Sequence, residues 1–483
     1  MPRRVVRVAR EIEGADEGSL RRGVAAIHEE LGVSTEFPDQ VLAEADEAAR
    51  APRLPDLDRT DIPLVTIDPE TSRDLDQALH IERRGSGYRV HYAIADVAAF
   101  VRAGGSIDEE AHRRGETLYG VGEKIPLHPP SLSENACSLL PDGERPALLW
   151  TIDVDDTGEG TAVHVERARV RSRAKLSYAG VQADLDAGRA DPVIQLLREV
   201  GELRQAREVE RGGVSLPLPD QEVSCVDGRW ELSFRQPLPV EGWNAQISLL
   251  TGMGAAQLMV AGKVGILRTL APADPRDVDR LRRVAQALHI PWGPEVSYPD
   301  FIRSLDPSRA DHAAMLNEST TLLRGSGYVA FDGALPEQPL HSALASTYAH
   351  VTAPLRRLVD RYAGEVCLAL CAGQPVPGWV LASLEHLPET MRESTHRANQ
   401  YERAMLDLVE AAVLQHHVGR SFRAMVVQVN EKHPVVGEVM VTDPAVEAKV
   451  RSASGQPLPL GTDVTVRLVE ADPEERNVLF QLG

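Results

Sequence analysis

Apolar residues recur every three or four positions in two stretches near the N-terminus, SLRRGVAAIHEELG and FPDQVLAEADEAAR, and that period predicts two helices within residues 1–50. The segment APRLPDLDRT, with two prolines among alternating acids, reads as a connector. A second region, 51–418, opens with β-like runs: IPLVTI, ALHIE and YRVHYAIADV, the last two joined by the turn sequence RRGSG. RPALLWTIDVDD and TAVHVERARVRS form a further strand pair across TGEG. From about 177 to 418 the spacing becomes mainly helical, in DPVIQLLREVGELRQAREVERG, VEGWNAQISLLTGMGAAQLMVAGK, PRDVDRLRRVAQALHI, PLRRLVDRYAGEVCLALCAG and a long run from Trp379 to His417. Strands before helices favour an α+β domain over regular βαβ alternation. In residues 419–483 short alternating strands return, SFRAMVVQVN, VVGEVMVT, DVTVRLVEAD and NVLFQLG, and about five of them in so short a span suggest a small barrel of the OB type.

The length of 483 residues fits several domains, and 43% hydrophobic with 26% charged residues excludes disorder or a fibrous repeat. No apolar run approaches the roughly 20 residues a bilayer needs, so no membrane association is expected. MPRRVVRVAREIEG lacks the apolar core of a secretory signal, and a cytoplasmic protein is the expectation. A formal charge of −20 argues against a uniformly basic nucleic-acid coat. It leaves room for a local basic groove, because screening acts over about 8 Å at physiological salt. The cysteines Cys137, Cys225, Cys367 and Cys371 form no CxxC pair, and no HExxH occurs, so any metal must use oxygen ligands.

The segment TIDPETSRDLDQA, residues 66–78, places Asp68, Asp74 and Asp76 just past an apolar strand. Pro69 and the Thr71, Ser72 pair indicate a loop that lets these carboxylates converge. Converging acids repel unless a cation neutralises them, and a hard divalent ion, magnesium above all, is the economical choice. A solvated acidic loop or a structural calcium site is the alternative reading.

The remaining motifs shift that balance. Thr66, Asp68, Asp74 and Asp76, then YAIADVAAFVRAGGSIDEEAHRRGETLYGVGEKIPLHPPSLSENACSLL, HSALASTYAHVTAPLRRLVDRY and QYERAML, follow one another in the order and spacing of the ribonuclease II family's catalytic domain. The chain resembles that family over about 350 residues. The resemblance implies a mixed sheet packed with helices around an RNA channel, an S1-like barrel after it, and 3′-to-5′ hydrolysis of single-stranded RNA to nucleoside 5′-monophosphates. It further implies magnesium on Asp68, Asp74 and Asp76, with Asp76 the acid on which cleavage depends most. Arg356 falls on the arginine that holds the scissile phosphate, with Arg357 beside it; Tyr119 falls on the aromatic that stacks on the terminal base, and Glu402 on an acid near the terminal nucleotide. Protein partners are not indicated.

Two departures stand out. Gln77 occupies the position of a fourth family aspartate, which predicts weaker metal binding and opens the alternative of an RNA-binding protein without turnover. The first 50 residues are too short and too helical for the cold-shock barrels that commonly open the family's chains. TAPLRR is expected to begin a helix, with Arg356 and Arg357 at its anion-attracting N-terminus.

Overall fold

In the computed structural model, residues 7–9, 17–120, 122–216, 220–226 and 229–483 are described. Alternating apolar positions close the first sheet into a five-stranded barrel: Leu64–Asp68, Gln77–Arg84, Gly87–Ala95, Glu144–Val154 and Gly160–Ser177, in that order. The ladder is antiparallel except at its closure, where Leu64–Asp68 runs parallel to the last strand with Asp68 opposite Ser177. Tyr92, Ile94, Trp150 and Val165 fill the side on which the helices Pro192–Arg211, Pro239–Gly262 and Leu358–Cys371 pack. Burial of this apolar surface, at roughly 25 cal/mol per Å², is the main force holding sheet to helices.

The second barrel has the order Ser421–Val429, Val436–Val441, Val446–Ser452, Asn477–Leu482, Asp463–Asp472, as its OB-type pattern requires. Its interior, including Val426, Val450, Val466 and Phe480, is continuous with a wider apolar cluster. That cluster also takes in Leu20 and Ile27 from the helix Glu17–Leu31, Tyr401 and Met405 from the helix Leu387–Leu414, and Leu118 and Ile125 from a short hairpin. At Gly23 a Cβ would lie 2.6 Å from a Leu408 methyl, so the first helix approaches the long one through a glycine. Among the described residues no helix is long and apolar enough to cross a membrane.

The two N-terminal helices form over Glu17–Leu31 and Asp39–Arg50. The stretch from 177 to 418 is mainly helical, and within it Asp220–Val226 and Arg229–Arg235 form a hairpin and Val264–Thr269 pairs with Gly327–Asp332. Two expectations are corrected. The run from Trp379 to His417 breaks into Gly378–Leu384 and Leu387–Leu414, with Pro388 in the first turn of the second helix, where its missing N–H costs nothing. The helix expected to begin at TAPLRR begins only at Leu358. Its would-be first N–H groups are taken by carboxylates: Ala353 donates to Asp360 at 2.7 Å and Leu355 to Asp76 at 2.8 Å.

Candidate active site

The strand Leu64–Asp68 ends the barrel's closure and delivers Asp68 to one rim. The chain then turns at Pro69–Ser72, where the Ser72 N–H donates to the Pro69 carbonyl at 3.0 Å, and returns as Gln77–Arg84. Between them the acid loop is stapled by Ser138, whose hydroxyl accepts from the Leu75 N–H at 2.9 Å and donates to the Arg73 carbonyl at 2.6 Å. The Ala95 N–H donates to the Asp76 carbonyl at 2.9 Å. These bonds fix the loop backbone on which Asp74 and Asp76 stand.

Opposite lies the segment 352–357. Asp76, 6% exposed, accepts from the Leu355 N–H and has Arg356 Nε 3.3 Å from its second oxygen. The segment is pinned from its other side, where the Thr117 N–H donates to the Arg356 carbonyl at 3.0 Å and Leu358 donates to Gly115. Burial raises Asp76 to about 7, with Asp74 and Asp360 pushing the same way against Arg356 and the Leu355 N–H. Burial likewise raises Asp68 to about 6, reinforced by Asp74 and opposed by Arg356 and Lys175. Asp68, Asp74, Asp76 and Arg356 thus lie within electrostatic reach of one another. They are not closed to ligand distance: among the described residues no three His, Cys, Asp or Glu side chains are gathered tightly enough to hold a metal.

The donor set suits a hard divalent cation nonetheless. It consists of carboxylate oxygens, two of them with pKa values raised by burial, and the hydroxyl of buried Thr66, two residues before Asp68 on the same strand, has no hydrogen-bond partner.

Gln77 is differently employed from the acid it replaces in the resemblance. Its Oε1 accepts from Tyr92 OH at 2.6 Å and its Nε2 donates to the Thr352 carbonyl at 2.7 Å, so the carboxamide ties the barrel to the arginine segment. Arg357 is not turned to the acid loop; it forms a two-point pair with Asp360 at 2.8 and 2.7 Å. Tyr119 lies on the hairpin formed by Leu118–Tyr119 and Lys124–Ile125; it is 37% exposed, and its hydroxyl feels Arg356, Asp74 and Asp76. Glu402 is half-buried on the long helix, next to Tyr401. Tyr401 OH donates to Glu123 on the same hairpin, and His28 Nε2 lies 2.6 Å from Glu123, so the first helix and the long helix both grip the Tyr119 hairpin. Gly120 makes this approach possible, as a Cβ there would sit 2.8 Å from the Tyr401 hydroxyl.

The sequence reading missed Lys124, whose Nζ is 3.1 Å from Asp74 and 2.5 Å from Glu134, and the Tyr92 to Thr352 bridge through Gln77. Lysine's rarity in an arginine-rich chain was the only available signal for Lys124.

Comparison with known proteins gives the family and the fold. The RNB domain family matches residues 57–369, and the RNase II-type exonuclease C-terminal S1 domain matches 420–482. Ribonuclease R of Escherichia coli is 28% identical over 482 residues, covering 91% of this chain and 58% of the relative, so the chain spans little more than half that protein's length. The structure of Mycoplasma genitalium RNase R in complex with ribose methylated single-stranded RNA superposes with a TM-score of 0.84 at 19% identity, over 96% of this chain and 78% of that one. Yeast Ssd1, described as a pseudonuclease, superposes with a TM-score of 0.70 at 17% identity, over 94% of this chain and 57% of that one.

Proposed function

We propose, from the premise that this chain belongs to the RNB family, that it is a magnesium-dependent 3′-to-5′ exoribonuclease releasing nucleoside 5′-monophosphates from single-stranded RNA. The observation that carries the reading is the meeting of Asp68, Asp74 and Asp76 with Arg356 across one rim of the barrel. Asp68, Asp74 and Asp76 would hold the magnesium, which when bound supplies a Lewis acid for the phosphoryl oxygen and a more acidic water. Arg356, whose side chain is 41% exposed, is free to leave Asp76 and take a phosphate with its planar fork, stabilising the charge that develops during in-line attack. Tyr119 offers an exposed face to the terminal base, a contact that tolerates any sequence. Glu402 stands near that nucleotide. Arg357 serves by anchoring the segment through Asp360 and contributes no phosphate contact.

Purified protein incubated with 5′-labelled single-stranded RNA and magnesium should give a ladder that shortens from the 3′ end, and Asp76→Asn should abolish shortening while retaining RNA binding. The rival reading, RNA binding without turnover, starts from Gln77, whose amide is engaged in hydrogen bonds at a position where the resemblance puts an acid. Bound but unshortened RNA across magnesium and manganese concentrations would support the rival.

A further inference from the structure

Lys124 has no role in the proposed cleavage, yet its ammonium pairs directly with Asp74. It is the register partner of Tyr119 in the hairpin, and its Nζ bridges Asp74 Oδ1 at 3.1 Å and Glu134 Oε1 at 2.5 Å. The bridge is partly enclosed, with Lys124, Asp74 and Glu134 side chains 25%, 16% and 26% exposed. Glu134 belongs to the turn Leu132–Ala136, three residues before the Cys137, Ser138 pair whose serine staples the acid loop, so acid and lysine approach from two fixed backbones. Both partners hold Lys124 in its charged form against the effect of burial.

The charges of the cluster nearly cancel. With their carboxyls ionised, as a bound cation requires, Asp68, Asp74, Asp76 and Glu134 bring four negative charges; Arg356, Lys124 and Lys175 bring three positive ones. Gln77 supplies no fifth acid, and both ends of its amide are used. A dication shared by Asp68, Asp74 and Asp76 would already turn the balance positive. A second dication on Asp74 Oδ1 would meet the ammonium head-on, since magnesium sits about 2.1 Å from its carboxylate oxygens and Lys124 Nζ already stands 3.1 Å from that atom.

We propose that Lys124 is a resident counter-ion occupying the place of a second divalent ion, so that this site takes one divalent ion per chain. The inference rests on the proposed metal role of Asp68, Asp74 and Asp76. Lys124 is a positioning residue in this account: it fixes Asp74 and sets the ion number, and it need not touch RNA.

The test is a count of ions with no RNA present. Manganese, read by electron paramagnetic resonance of the free ion, is titrated into the metal-stripped full chain, into Lys124→Gln, and into Lys124→Arg as the charge-retaining control. Thermal melts verify that all are folded. The parent and Lys124→Arg should bind one ion, and Lys124→Gln should bind two. Two ions on the parent, or one on Lys124→Gln with unchanged affinity, would overturn the role of Lys124 while leaving the nuclease reading standing. No bound ion on the parent, with Asp68→Asn behaving identically, would instead remove the metal reading on which the inference depends. A Glu134→Gln variant, which loosens the lysine without deleting it, should weaken discrimination against the second ion.

Discussion

Replacing Asp76 by Asn should separate folding from chemistry in a pH-dependent way. Burial raises the Asp76 carboxyl from 3.8 to about 7, so the folded chain keeps a proton that the unfolded chain releases. The sign follows directly: in metal-free protein, stability falls as pH climbs from about 4 to about 7 and stays low above that. At about 1.4 kcal/mol per pKa unit the whole effect is about 4 kcal/mol, of which about 2 kcal/mol develops between pH 5.5 and pH 8. Asn keeps the acceptor for the Leu355 N–H and never ionises, while Arg356, with its side chain 41% exposed, can turn to water when its partner is gone. In EDTA the variant should therefore melt higher than the parent, and the gap should widen by about 2 °C from pH 5.5 to pH 8, taking roughly 1 °C per kcal/mol for a chain of this size. Magnesium should raise the parent's melting temperature more than the variant's, and RNA shortening should vanish in the variant. An equal gap at both pH values would refute the desolvated carboxyl and with it the physical argument for a cation at this rim.

Other perturbations report on separate parts of the site. Arg356→Ala should lower the cleavage rate by about 10²- to 10³-fold, as loss of one transition-state donor does, with an unchanged melt; single-turnover kinetics on short RNA reads this. Gln77→Leu removes the partner of both Tyr92 OH and the Thr352 carbonyl, and a cost of about 1–3 kcal/mol for each buried group left unsatisfied should lower the urea midpoint visibly. If Gln77→Leu instead left stability intact and abolished manganese binding, the amide would be a ligand and not a tie. Tyr119→Ala should weaken binding of a short oligonucleotide by about 1–3 kcal/mol, whereas Tyr119→Phe, which keeps the ring, should bind like the parent in fluorescence titration.

Much of the fold was legible because its elements obey simple periods. The alternation in YRVHYAIADV and NVLFQLG and the helical spacing in VEGWNAQISLLTGMGAAQLMVAGK translate directly into Gly87–Ala95, Asn477–Leu482 and Pro239–Gly262. The hairpin Asp220–Val226 with Arg229–Arg235 carried a readable signal, DG between apolar runs, that the surrounding helices obscured. The delayed helix start at Leu358 was not readable, because it depends on Asp76 and Asp360 taking backbone N–H groups, a fact about neighbours in space. For the same reason the acids and Arg356 could be named from motif order, while the Lys124 bridge and the Gln77 tie could not: they join residues 10 to 275 positions apart.

The apolar cluster that runs from Ile27 through Leu118, Ile125 and Tyr401 to Phe480 makes the terminal barrel a foundation for the Tyr119 hairpin. A chain severed after residue 418 would uncover the face of the helix Leu387–Leu414 that packs on the strands Asp463–Asp472 and Asn477–Leu482, and would leave Tyr119 mounted on a loosened support. Swapping S1-type barrels between relatives as if they were detachable heads should accordingly fail unless the helix faces beneath them travel along.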